Sequence, residues 1–225
     1  MKTTITRLLA CAALLTAGAR AQTINWGSEV FSDLRDSNGQ TLGDIYVFEI
    51  GAFDPGMDPA SEPLSTNLDA WLDHWNVFDR ASYNGSLGYF TGTVEMTDAG
   101  LSNSPWLNAD IPSFEGLDAY LWIRKGDTPV PGSEWLVVRA ANWTFPTAIP
   151  GCCDNSLPAE WSVSDLTPAN TPAWGAQGPV TGPGEYTYGG ATTLQTHTFP
   201  VVPEPSAALA FAALALSSIA RRRRE

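Results

Sequence analysis

Between residues 22 and 200 the apolar positions come in short bursts separated by Gly, Pro, Asn and Asp. Bursts rich in β-branched and aromatic residues and bounded by turn chemistry predict β-strands. The strongest is 42–52, LGDIYVFEIGA, which follows the tight-turn signature Asp36-Ser37-Asn38-Gly39. Further strands are expected over 87–96, 117–124, 134–140, 161–166 and 194–199, and their spacing predicts a single β-sandwich or jelly-roll-like domain. Residues 168–190 are rich in Pro and Gly and read as one long loop, and no internal repeat is visible.

One helix is expected among the strands. Leu68, Trp71, Leu72, Trp75 and Phe78 share one face of a 3.6-residue period, and Thr66 with Asp69 makes a capping pair at its start. That face either packs on the sheet, which is the expectation, or presents Trp71 and Trp75 to solvent. Period-two alternation in 117–124 sets Leu117, Ala119, Leu121 and Ile123 on one face and Tyr120 and Trp122 on the other. With Trp135 on the next strand these make a candidate sugar-stacking strip, unless the helix or a second layer covers them.

The two ends follow different patterns. Lys2 and Arg7 precede an apolar stretch of signal-peptide length, and Ala19-Arg20-Ala21 is an A-x-A site that predicts cleavage by signal peptidase before Gln22. Leu8-Leu9-Ala10-Cys11 superficially resembles a lipoprotein box, but cutting there leaves almost no hydrophobic segment after Arg7. At the other end, the uncharged residues 206–220 run straight into Arg221, Arg222, Arg223 and Arg224. Fifteen helical residues span roughly 22 Å, short of the roughly 30 Å hydrocarbon core, so the segment inserts with some mismatch. The arginines then stay cytoplasmic and the body lies outside.

Val202-Pro203-Glu204-Pro205-Ser206, the short hydrophobic segment and the arginine cluster together resemble the PEP-CTERM sorting signal of exported Gram-negative bacterial proteins. The resemblance covers residues 202–225. It implies recognition of Pro203, Glu204 and Pro205 by exosortase, a membrane-embedded transpeptidase-like enzyme. It also implies a context of exopolysaccharide and biofilm, and a membrane anchor lost on processing. The two prolines give a stiff extended element that a protease can grip. The runs FEIGAF, WLDHW, ASYN, GYFTG and EWSVSDL are similar to ectodomains of other PEP-CTERM proteins. Those have no assigned activity, so this likeness implies a shared fold and no chemistry.

Charge sharpens the picture. Seven of the 12 basic residues lie in the two end segments, leaving five in the body against 22 of the 24 acids, a net of −17. Such a body repels nucleic acid and anionic lipid. Hydrophobic residues make up 44% of the chain, enough for a core.

Catalytic chemistry is not expected. The two histidines, His74 and His197, have no zinc-ligand spacing, and no nucleophile elbow, phosphate loop or dinucleotide fingerprint is present. Paired carboxylates of a hydrolase cannot be picked from so many acids. No cofactor is predicted. Calcium stays open, because residues 36–39 and Asp54 with Asp58 put oxygens on loops, although neither segment keeps the calcium-loop register and Asx-turns explain both. After signal cleavage only Cys152 and Cys153 remain, adjacent in the chain. In an oxidising compartment they make a vicinal disulfide, intermolecular crosslinks or a buried reduced pair, with the vicinal bridge favoured by the flanking turn residues.

The reading is therefore an exported, non-enzymatic surface or matrix protein, structural or adhesive. A carbohydrate-binding module is the second reading and a secreted hydrolase the third.

Overall fold

The computed structural model describes residues 22–59, 61, 68–126, 132–147, 157–167, 172–178, 180–181, 187–188, 190 and 193–198. Among these the fold is mainly β. Its main strands are β1 (Gln22–Gly27), β3 (Tyr46–Phe53), β4 (Trp75–Asn84), β5 (Tyr89–Met96), β6 (Tyr120–Lys125), β7 (Glu134–Val138) and β8 (Ala159–Ser162). With β13 (His197–Thr198) they form one eight-stranded sheet in the order β13-β7-β6-β3-β4-β5-β1-β8. A smaller sheet joins β2 (Leu34–Arg35), β12 (Leu194–Gln195) and β9 (Ala176–Gln177), and β10 (Val180–Thr181) pairs with β11 (Thr187–Tyr188).

The large sheet curls on itself. β4 pairs with β3 along most of its length, but meets β5 at Tyr83↔Phe90 and Asn84↔Tyr89, where the sheet turns a corner. Beyond that corner Phe90 lies stacked on Phe48 of β3, with ring centroids 4.2 Å apart, although the two strands are not neighbours. The space enclosed holds the main core, in which Ile24, Phe48, Ile50, Phe78, Phe114 and Leu136 are all buried. The expected strand over 42–52 is β3, and it occupies the middle of the sheet because almost every position along it is buried. Gly51 marks a bulge in its pairing with β4. A Cβ there would lie 2.1 Å from the Asn76 carbonyl oxygen, so the close approach of the strands requires glycine.

Three expectations are corrected and one strand is added. The helix, α1 (Leu68–Asp73), is only six residues long, and Trp75 and Phe78 belong to a ten-residue strand instead. A helix that short is marginal alone, whereas β4 gains a full antiparallel ladder with β3. The capping residue Thr66 lies outside the described residues. Strand β1 has no counterpart among the expected strands, because Ile24 and Trp26 are its only inward apolar pair and the alternation is brief. Residues 161–166 are part strand and part 3-10 turn, closed by a capping box between Ser162 and Asp165. The loop over 168–190 contains β9, β10 and β11.

Candidate functional site

The outer face of the sheet carries the aromatic strip. The register places Trp122 opposite Glu49 on one side and Val137 on the other, and Arg124 opposite Trp135. Tyr120, Trp122 and Trp135 are thus brought together, as the alternation implies. They are not presented to solvent. Trp122 and Trp135 are fully buried and Tyr120 is half-buried. Trp71 of α1 closes the face from above, itself fully buried and edge-on to Trp122 at 6.1 Å. Phe53, Trp75 and Trp135 complete the cage, with Trp122 5.2 Å from Trp75 and 5.0 Å from Trp135. The sugar-stacking strip of 120, 122 and 135 is therefore corrected to a second apolar core. The physical reason is area: four indoles and a phenyl ring hide more surface against one another than any surface patch leaves open. Trp122 Nε1 is buried with no hydrogen-bond partner among the described residues, the one polar cost of that packing.

Next to the aromatic cage lies a buried carboxylate. Glu49 accepts from Arg124 at 2.6 Å, from Arg80 at 2.6 Å and from Trp75 Nε1 at 3.2 Å. The side chains of Glu49 and Arg124 are 2% and 3% exposed, so each charge depends on the other for solvation. Arg80 also lies over the exposed ring of Trp106, 4.7 Å from its centroid. These bonds tie β3, β4 and β6 across the sheet.

A second carboxylate, Glu134, is buried where β7 meets the small sheet. It accepts from Tyr46 OH, from Ser37 Oγ at 3.0 Å and from Thr196 Oγ1 at 3.1 Å, with Lys125 Nζ 3.5 Å away. Burial pushes its pKa up, but the hydroxyl donors and Lys125 outweigh that and hold it below the usual carboxylate range. Burial, reinforced by the Glu134 contact, raises the pKa of Tyr46. Both charges act as cross-links between strands.

The remaining candidates are also accounted for. His74 Nδ1 is 2.8 Å from Asp54, which also accepts from Asn76 at 2.7 Å. Burial works against the charged form of Asp54, yet these two contacts leave its pKa lowered. Asp36 caps its own turn, accepting from the backbone of Asn38 and Gln40 at 2.8 Å each. The oxygens considered for calcium at 36 and 54 are thus engaged, and among the described residues no three His, Cys, Asp or Glu side chains converge as metal ligands would. His197 pairs with Trp135 in the β13–β7 ladder, and burial lowers its pKa.

Sequence reasoning missed Glu49 and Glu134 as organising residues. The signal was available for Glu49, a lone acid inside the most apolar strand of the chain. Ala19, Ala21, Cys152, Cys153, Pro203, Glu204, Pro205 and Arg221, Arg222, Arg223 and Arg224 lie outside the described residues. No family model, curated protein or solved structure matches the chain.

Proposed function

We propose that the chain is an exported bacterial surface or extracellular-matrix protein, sorted through its C-terminal tail. In this reading a β-sandwich-like ectodomain of about 180 residues serves a structural or adhesive role among exopolysaccharide. Signal peptidase cuts after Ala21, the tail lodges in the membrane, and an exosortase-like enzyme recognises Pro203, Glu204 and Pro205. The observation that carries the reading is the ordered tail of Pro-Glu-Pro, short apolar segment and four arginines, paired with a signal-peptide pattern at the other end.

Two structural features support it. The residue that a cut after Ala21 leaves first, Gln22, pairs with Met96 in the β1–β5 ladder, so the cleaved chain keeps that pairing. The two buried carboxylates are both bound into inter-strand networks, which suits a scaffold that must persist outside the cell.

The test is the intact mass of the protein recovered from its native host, with the cell fraction recorded. A chain that begins at Gln22 and ends near Pro203 to Pro205 is the expected result. A membrane-bound chain that still carries Arg221 to Arg224 would refute the sorting step and leave a plain tail anchor.

A further inference from the structure

Residues 29–33, in the connection from β1 to β2, line a cleft of about 200 Å³. Val163 and Ser164 of the 3-10 turn line it as well. Phe31 has a φ of 63°, and among the described residues it is the only non-glycine with positive φ. An aromatic residue in the left-handed region is strained, and such strain persists only where the surroundings impose it.

Here the surroundings do so with several bonds. Phe31 N donates to the Leu87 carbonyl at 2.9 Å and Ser32 N to that of Gly88 at 3.1 Å. Ser32 Oγ donates to the Glu29 carbonyl at 2.7 Å, and Ser28 binds Phe90 through both its backbone and its hydroxyl. Gly88, whose φ of 62° favours glycine, lies on the hairpin beside this segment. The segment is clamped to the β4–β5 hairpin, yet the ring it holds out is 77% exposed. The hydrogen bonds hold the strained backbone, but burial of the ring contributes nothing to offset it, which makes the ring a candidate for a contact outside the fold.

The chemistry beside the ring selects a class of ligand. Ser32 Oγ and Ser164 Oγ each donate within the protein, the latter to Ser162 Oγ at 2.7 Å, which leaves their lone pairs as acceptors. The exposed carboxylate of Glu29 is a third acceptor. A cleft lining that combines an apolar ring with three such acceptors fits a molecule with one C–H face and a rim of hydroxyl donors. The volume holds a single ring, below the roughly 300–1,000 Å³ of a drug-sized pocket. Glu29, Asp33 and the acidic body around them disfavour anionic sugars.

We propose that this cleft binds one neutral hexopyranose unit of a polysaccharide, stacked on Phe31, with Glu29, Ser32 and Ser164 accepting from its hydroxyls. The proposal moves carbohydrate binding from the buried strip of Trp122 and Trp135 to the opposite kind of site, a strained ring held in solvent. It builds on the reading of an exported protein among polysaccharides, but its test does not depend on how the tail is processed.

The full-length chain, solubilised in mild detergent, is run in native gels containing soluble β-glucan, mannan, galactan or xylan, with alginate as the anionic polymer. At least one neutral polymer is expected to retard the wild type. Phe31→Gly relaxes the backbone, keeps the near-ultraviolet circular dichroism, and is expected to weaken retardation tenfold or more. Phe31→Asn, which also tolerates the left-handed region, gives the same reading if the glycine variant misfolds. Glu29→Gln weakens binding severalfold, and Trp106→Ala leaves it unchanged. Retardation by none of the neutral polymers, retardation by alginate alone, or retardation that survives both Phe31 variants overturns the proposal.

Discussion

Replacing Trp122 by alanine separates a core residue from a binding platform. The side chain is fully buried, with four aromatic neighbours whose ring centroids lie between 5.0 and 6.2 Å. An indole hides roughly 200 Å² of surface. At about 25 cal/mol per Å² this is worth about 5 kcal/mol. The unfolded chain already hides part of that area, which lowers the figure. The cavity left among Phe53, Trp71, Trp75 and Trp135 raises it again, and measured Trp→Ala changes in cores cost about 3–5 kcal/mol. About 4 kcal/mol is the expected loss, a large share of the roughly 5–15 kcal/mol that holds a domain together. For a domain of this size each kcal/mol lowers Tm by roughly 2–4 °C, so the midpoint should fall by about 12 °C.

Urea unfolding at neutral pH, followed by far-ultraviolet circular dichroism, measures the change directly. Trp106→Ala is the control. Its ring is 52% exposed and its main partner is the Arg80 guanidinium, so it should cost about 1 kcal/mol or less. A Trp122→Ala variant that loses under about 1 kcal/mol would mean that α1 does not cover the face in solution. If that variant also lost polysaccharide binding, the strip of Tyr120, Trp122 and Trp135 would return as the sugar site.

Two further substitutions test the buried charges. Glu49→Ala leaves Arg124 buried without its carboxylate and should cost about 3–5 kcal/mol in urea unfolding; a loss near 1 kcal/mol would show that water reaches the pair. Glu134 has a lowered folded-state pKa, so its contribution is complete above its unfolded value of about 4.3 and disappears as pH falls through the folded value. Unfolding midpoints of wild type and Glu134→Gln should therefore differ most at pH 7 and begin to converge only as pH falls below the unfolded value of about 4.3, and parallel curves would refute the assignment.

What the sequence revealed and what it hid follow from the range of the forces involved. β3 and β6 were legible because their apolar residues alternate or run unbroken, and strand pairing agrees with that local pattern. The 3-10 turn after β8 was legible in principle from Ser162 and Asp165 but reads as strand continuation without its hydrogen bonds. The helix failed at Trp75 and Phe78 because the same residues satisfy a helical period and a bulged strand. Only the ladder with β3 decides between them, and that ladder joins residues more than twenty positions apart. The aromatic strip was placed on the correct face, yet its exposure depended on α1 and on Trp174, which reaches over to donate to the His197 carbonyl at 3.1 Å. Phe31 was invisible for the opposite reason. Nothing in its neighbours along the chain signals a positive φ, which the β4–β5 hairpin imposes from a distance.

The position of the strands also limits how the body can sit on a membrane under the proposed sorting. β13 is an edge strand of the large sheet and ends at Thr198. Four residues, 199–202, lie between it and Pro203, and the five Cα–Cα steps from Thr198 to Pro203, at no more than about 3.5 Å each, reach roughly 17 Å. With the Pro-Glu-Pro element at the bilayer face, the β13 edge is held within that distance of the lipid until the tail is cut. A body of net charge −17 gains nothing by approaching anionic headgroups so closely, with a Debye length of about 8 Å at physiological salt. Release by cleavage therefore relieves an electrostatic cost, whereas a permanent anchor of the same length retains it. If the tail is sorted as proposed, the short span to Pro203 and the acidic body favour processing over retention.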